Sequence, residues 1–182
     1  MSNETYALGD YTFSEIKSQA GCWGAVFSRI DSKAEQFRKM YSESDEIIFT
    51  GCGSAFNISH AVAPFFQKLS GKTCRAVHAS EIMVNPELFL NKNRKTMIIG
   101  YSRSGDTTES VRALETAKSL NARITAVVCF KQSKMAQTAD LALILEEAVE
   151  KSVTTTRSLT AMVLADTIWR VSARAAILSV KI

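Results

Sequence analysis

The sequence predicts a doubly wound α/β domain: a three-layer α/β/α sandwich around a five-stranded parallel sheet, with a helical preface at the N-terminus. Three observations lead there. Five short apolar runs alternate with helical patterns from residue 46 onward. The central run, Thr96–Tyr101 (TMIIGY), is almost wholly apolar, which suits a strand covered on both faces of a parallel sheet. Crossovers between parallel strands are right-handed, and that leaves 2-1-3-4-5 as the expected strand order, with a topological switch point between strands one and three.

Residues 1–12 read as a loose arm. Thr12-Phe13-Ser14-Glu15 opens a short helix with Thr12 or Ser14 as its cap, and Gly21 is expected to interrupt it. A longer helix runs from about Cys22 to Tyr41, with Trp23, Val26, Phe27, Ile30, Ala34 and Phe37 spaced as one apolar face. It reads as a packing or dimer helix without chemistry. The chain thus divides into an N-terminal arm with helices over 1–43 and a ligand-binding domain over 44–182.

Glu46–Thr50 is the first strand and ends in Gly51-Cys52-Gly53-Ser54. Ser54 or Asn57 begins a helix through Leu69 that turns Ile58, Val62, Phe65, Phe66 and Leu69 inward, and Gly71 stops it. Thr73–His78 is a second, poorer strand. Ser80-Glu81 then starts a short helical turn that closes before Pro86. The third strand, Thr96–Tyr101, leads to a helix over about Thr107–Leu120, and Arg123–Phe130 is the fourth strand. A short helix covers Lys134–Thr138, and Leu141–Leu145 is the fifth strand. Val153–Val180 is a long helical pattern with Leu159, Met162, Val163, Ala165, Ile168, Trp169 and Val171 apolar.

The totals narrow the class. A chain of 182 residues fits one domain of common size, and 46% hydrophobic against 22% charged residues is a globular balance. The net charge of +4 is mild and no run of Lys or Arg forms a stripe, so no nucleic-acid partner is expected. The N-terminus lacks a basic region followed by an apolar one, and no segment reaches the length of a charge-free bilayer span. Cys22, Cys52, Cys74 and Cys129 show no CxxC pairing, and Cys74 and Cys129 sit in apolar runs that favour free buried thiols. A cytoplasmic protein with no membrane contact is the expectation.

The chemistry concentrates in KTMIIGYSRSGDTT, Lys95–Thr108. After the buried strand the turn offers Ser102, Arg103, Ser104, Gly105, Asp106 and Thr107 in succession. Gly105 lets backbone approach a ligand, and a helix starting near Asp106–Thr107 aims unpaired N–H groups at it. Such a turn suits an anionic, oxygen-rich guest such as a phosphate, although hydroxyls that merely cap the helix remain an alternative. Asp106 is dissonant, because it repels an anion unless it caps a helix or faces away. The predicted order brings GCGSA (Gly51–Ala55) to the same crevice, at the carboxyl ends of neighbouring strands.

Other candidates are weaker. His60 and His78 read as packed or solvated side chains, and Glu81 as a carboxylate favoured by a helix N-terminus. Cys52 lies near a glycine turn but lacks an evident base, so steric fit beside Gly51 and Gly53 is its expected role. No cluster at metal-ligand spacing exists, and G-C-G-S-A-F lacks the third glycine of a dinucleotide fingerprint. Neither metal nor cofactor is expected.

Residues 44–170 resemble the sugar isomerase (SIS) domain, a phosphosugar-binding module. The resemblance is carried by Gly51–Ala55, by Ala79-Ser80-Glu81, by YSRSGDTTES (Tyr101–Ser110) and by EKSVTTTRSLT (Glu150–Thr160), all in order. It is similar to the first of the two SIS domains in glucosamine-6-phosphate synthase isomerase units, to tagatose-6-phosphate ketose/aldose isomerases and to glucosamine-6-phosphate deaminase-like proteins. The resemblance implies that Ser102, Ser104 and Thr107, with the Arg103 backbone, hold a sugar phosphate. It implies that Ser54 and Ala55 touch sugar and phosphate, and that Val153 and Thr155 contact the sugar. In this chain Thr155 stands where the family has Ser, and Arg157 where it has Lys; Arg keeps the charge but not the shape. Glu150 matches an acidic position whose expected work is loop shaping rather than catalysis.

Two functional readings follow. One is a domain of an aldose–ketose isomerase or deaminase acting on an aminosugar or ketohexose 6-phosphate, within carbohydrate-derivative metabolism. The other is a non-catalytic phosphosugar sensor or regulatory module. The resemblance places the catalytic base in a second domain or a neighbouring subunit, so no catalytic residue is named here. The tail RVSARAAILSVKI stops inside an apolar helical pattern, which leads to the expectation of a longer parent with two SIS domains, or an apolar surface awaiting a partner. A homo-oligomer, dimeric or larger, is expected.

Overall fold

The structure, a computed structural model, describes residues 9–179, with side chains as far as residue 169. The first eight residues of the expected arm, the end of the last helical pattern at 180–182 and the side chain of Val171 lie outside the described residues. Two helices come first, α1 (Asp10–Lys17) and α2 (Gln19–Ser42). The core follows as β1 (Glu46–Gly51), α3 (Ser54–Ser70), β2 (Thr73–His78), α4 (Ala79–Val84), β3 (Thr96–Ser102), α5 (Thr108–Ser119), β4 (Arg123–Val128), α6 (Lys134–Thr138), β5 (Leu141–Ile144) and α7 (Arg157–Ser179). Every pairing is parallel and the order is β2-β1-β3-β4-β5, as the sequence predicts.

Every residue of β1 and β3 is buried, because helices cover both faces of the sheet. Alternation along the strands divides their side chains between two cores. Ile47, Phe49, Met97, Ile99 and Tyr101 share one with α2, α3 and α7. Ile48 and Ile98 share the other with α4, α5 and α6. In the first, the Phe37 and Trp169 rings stack 4.3 Å apart and Phe66 lies 5.4 Å from Phe49. Full burial of a side chain such as Phe37 contributes on the order of 1.5–3 kcal/mol. α2 precedes the expected boundary at 43/44 but supplies Val26, Ile30 and Phe37 to this same core.

Several local expectations need correction. Neither Thr12 nor Ser14 caps α1: the helix starts after Gly9, whose φ is +93°, and the Ser14 hydroxyl donates to the Tyr11 carbonyl at 2.9 Å. Gly21 lies inside α2, and the break falls at Ser18. The buried stripe of α2 is Cys22, Val26, Ile30, Ala34, Phe37, Met40 and Tyr41. Trp23 and Phe27 sit one residue, or about 100°, around from it and are 38% and 51% exposed. Phe65 of α3 is exposed rather than turned inward. β4 ends at Val128, before the expected Phe130. α7 begins at Arg157 and not at Val153, because the residues between are held as a loop described below.

β1 pairs with β3 from Glu46↔Thr96 to Thr50↔Gly100. The loops after Gly51 and after Ser102 therefore leave the sheet side by side, at the switch point where open α/β sheets bind ligands.

Candidate functional site

The turn after β3 is shaped by its own hydroxyls. Ser102 Oγ accepts the Gly105 amide at 3.0 Å and lies 3.2 Å from Thr107 Oγ1 and 3.5 Å from Ser104 Oγ. Ser104 Oγ accepts the Asp106 amide at 3.2 Å. Gly105 has φ +71°, and a Cβ there would meet Ser133 Oγ at 2.2 Å, so no other residue fits without rearrangement. The turn is pinned from behind: the Arg103 carbonyl accepts the Cys129 amide at 3.1 Å, and the Gly105 carbonyl accepts the Met135 amide at 3.0 Å. Asp106 faces away, with Oδ1 accepting the Lys134 amide at the start of α6 at 2.9 Å. That removes the charge conflict seen in the sequence. Thr107 occupies the cap position of α5, yet its side chain makes no capping bond, so the first amides of α5 keep open hydrogen-bonding capacity.

The turn after β1 forms the opposite wall. A Cβ on Gly51 would lie 2.9 Å from Ala55, so glycine lets α3 pack close against the strand. α3 starts at Ser54 behind Gly53, which has φ +55° and supplies no side-chain cap. The α3 N-terminus thus meets the crevice without a side-chain cap, its Ala55 and Phe56 amides being taken by the Cys52 and Gly53 carbonyls at 3.2 and 3.0 Å. Burial lifts the Cys52 thiol above its ordinary value, and Ser110 Oγ donates to its sulfur at 3.6 Å. A thiol kept protonated in this way suits packing and not nucleophilic attack.

The third wall is the loop before α7. Glu150, its side chain fully buried, accepts the amides of Thr156 at 2.6 Å and Arg157 at 2.8 Å, and the Ser158 hydroxyl donates to it as well. It caps α7. The Arg103 guanidinium reaches across to the same loop, donating to the Ser152 carbonyl at 2.9 Å and the Val153 carbonyl at 3.2 Å, 4.0 Å from the Glu150 carboxylate. Its charge is thereby committed to the loop. From the other side, buried Glu15 of α1 accepts the Lys151 amide at 2.6 Å. Nothing in the local sequence flags Glu15, because its partners lie 136 and 137 residues away.

These walls enclose a cleft of about 200 Å³. Ser54, Ala55, Ser102, Arg103, Ser104, Thr107 and Thr155 line it, joined by Cys52 and Tyr101. Val153 is not in the lining and is 93% exposed. Among the described residues, the lining contains no carboxylate and no imidazole. His60 and His78 both pack edge-on against Phe56, at 4.7 and 4.8 Å. His78 and Glu81 form a capping box at α4, in which the Glu81 carboxylate accepts the His78 amide at 3.1 Å. Among the described residues no group of three His, Cys, Asp or Glu is placed to hold a metal ion, and no helix is long and apolar enough to cross a membrane.

A profile of the SIS domain matches residues 40–166. The chain belongs to the SIS domain family. Its sequence is 33% identical over 116 residues to D-galactosamine-6-phosphate deaminase AgaS of Escherichia coli O157:H7, covering 61% of this SIS chain and 30% of that protein. It is 28% identical over 169 residues to the isomerizing glutamine–fructose-6-phosphate aminotransferase of Helicobacter pylori J99, covering 89% of this chain and 28% of that one. Tagatose-6-phosphate ketose/aldose isomerase from Escherichia coli superposes with a TM-score of 0.82 at 25% identity, over 93% of this chain and 50% of the other. This SIS domain thus spans under a third of the curated relatives it matches and half of that isomerase.

Proposed function

We propose that this SIS domain binds the phosphorylated end of an aminosugar or ketohexose 6-phosphate and serves an enzyme that isomerises or deaminates it. The observation that carries this reading is the convergence of three hydroxyls and the N-terminus of α5, which has no side-chain cap, on one cleft whose lining guanidinium, Arg103, is turned to the third-wall loop. Such a cradle holds a phosphate by directed hydrogen bonds and a helix dipole rather than by an ion pair. Ser102, Ser104 and Thr107, with the Arg103 backbone, take the phosphate. Ser54 and Ala55 line the path to the sugar, and Thr155, rather than the exposed Val153, provides the third wall's contact. The cleft's volume suits a phosphate with the adjoining part of a sugar, being below the range of drug-sized pockets. All three relatives named above carry a hexose 6-phosphate in their names, in keeping with this guest.

Aldose–ketose conversion moves a proton between C1 and C2 through an enediol and needs a base within hydrogen-bond reach. The cleft lining supplies none, so the base comes from a second copy of this chain or from another domain of a longer protein. A homo-oligomer is part of this proposal, and the four free cysteines suit a reducing, cytoplasmic setting. The alternative, binding without turnover as in a sensor module, is disfavoured by the relatives above, all of which are named as enzymes.

Calorimetric titration with fructose 6-phosphate and galactosamine 6-phosphate tests the site. Ser104→Ala removes one hydrogen bond to a charged group and weakens binding by about 10- to 150-fold. An affinity unchanged in Ser104→Ala contradicts the phosphate placement. Turnover assayed on the same samples separates the enzyme from the sensor.

A further inference from the structure

The loop that carries Thr155 into the cleft is tied at its C-terminal end by Glu150, which accepts the Thr156 amide at 2.6 Å, and within itself by the Ser152 hydroxyl, which donates to the Thr154 carbonyl at 2.7 Å. Lys151–Thr156 contains no helix or strand, and Val153 is nearly fully exposed. Its N-terminal half is held from two further sides. On the cleft side, Arg103 binds the carbonyls of Ser152 and Val153. On the far side stands the Glu15 carboxylate of α1, only 4% exposed. It accepts the Lys151 amide at 2.6 Å and the Ser152 amide at 3.3 Å. Thr12 of the same helix lies within 3.4 Å of the Thr154 hydroxyl, and Arg157 donates to Ser18 Oγ at 3.0 Å where α1 meets α2. A buried carboxylate is costly unless its hydrogen bonds are made, and the loop supplies them to Glu15 through Lys151 and Ser152.

We propose that Glu15 is a positioning residue for the sugar end of the cleft: it fixes Lys151 and Ser152 and through them sets where Thr155 stands. The α1 helix is then a strap on the binding site and not a packing element alone. The inference rests on the phosphate reading of Ser102–Thr107 and goes beyond it, because it separates the two ends of the ligand. The phosphate turn is pinned by the Cys129 and Met135 amides, which owe nothing to α1. Glu15 bonds the third wall directly and meets the phosphate turn through the Arg103 side chain alone, not through the turn's backbone.

The test compares two probes, inorganic phosphate and fructose 6-phosphate, on the full chain and on Glu15→Ala, Glu15→Gln and Thr155→Ala. Glu15→Gln serves should the alanine variant fail to fold. Fructose 6-phosphate binding weakens by about tenfold in Glu15→Ala, the scale of one displaced hydrogen bond. Phosphate binding stays within about twofold, as for sites that share no partner. Adding Thr155→Ala to Glu15→Ala causes little further loss, since both disturb one contact. Equal losses for both probes, or none for either, overturn the proposal. A wild-type chain that binds neither probe, or a Ser104→Ala variant that binds both normally, defeats the phosphate reading instead. In that case amide exchange of the ligand-free protein judges the strap. Exchange at Lys151 and Ser152 accelerates in Glu15→Ala if the strap exists, and unchanged protection there overturns it.

Discussion

Gly71 and Gly105 share a φ of +71° and differ in what surrounds them. Around Gly71 nothing would touch an added Cβ within 4 Å, whereas at Gly105 the Ser133 side chain already occupies the position, with its oxygen 2.2 Å away. Left-handed backbone alone costs alanine about 1–2 kcal/mol. At Gly105, overpacking adds to this for a total of about 2–5 kcal/mol. Urea denaturation is therefore expected to show Gly105→Ala well below Gly71→Ala in stability; equal losses would mean that the turn does not press on Ser133. The turn's form is set by its own Ser102 and Ser104 hydroxyls and by the Cys129 and Met135 amides behind it. Asp106 completes it by capping α6 from 28 residues away, a partner that no local pattern announces.

At the scale of elements, α1 and α7 meet over one loop, and both contacts are made by buried carboxylates. Burial alone would raise the Glu15 carboxyl. Hydrogen bonds from Ser152 and the Lys151 amide, with the charge of Arg157, outweigh it and hold the group below its ordinary value of 4.5. A depressed folded value means that the ionised form stabilises the fold. That contribution is complete above about pH 4.5 and is lost as pH falls through the lower, folded value. Protonated Glu15 resembles glutamine. Denaturation of the wild type and Glu15→Gln between pH 3 and 6 (a range set by ordinary carboxyl values, roughly 4) is thus expected to show a stability gap that narrows on acidification. A gap that widens as pH falls would reverse the sign assigned here. The helix periods located α1 and α2, but not this role. Trp23 and Phe27 read as core residues in the sequence because they are apolar, while the helix's 100° step carries them past the edge of the core face.

Across the whole molecule, strand order, switch point and the hydroxyl-rich turn are legible because each follows from local signals: apolar runs of strand length, glycine and hydroxyl punctuation, and the handedness of crossovers. Seven of the eight expected site residues share one cleft. What remained illegible depends on partners distant in sequence, as with Glu15 on Lys151, or on a loop folded outward, as with Val153. A larger cavity of about 720 Å³ lies at the amino ends of β1 and β2, where Arg75 and Arg94 flank the buried Glu46 carboxylate. It offers the natural competitor for an anion, since it presents exposed guanidinium groups where the cleft presents hydroxyls and amides. A crystal structure of the full chain with fructose 6-phosphate decides between them. The phosphate is expected within hydrogen-bond distance of Ser104 and Thr107 at the N-terminus of α5. A phosphate seated on Arg75 and Arg94, with the cleft between Ser54 and Ser104 unoccupied, would contradict the account.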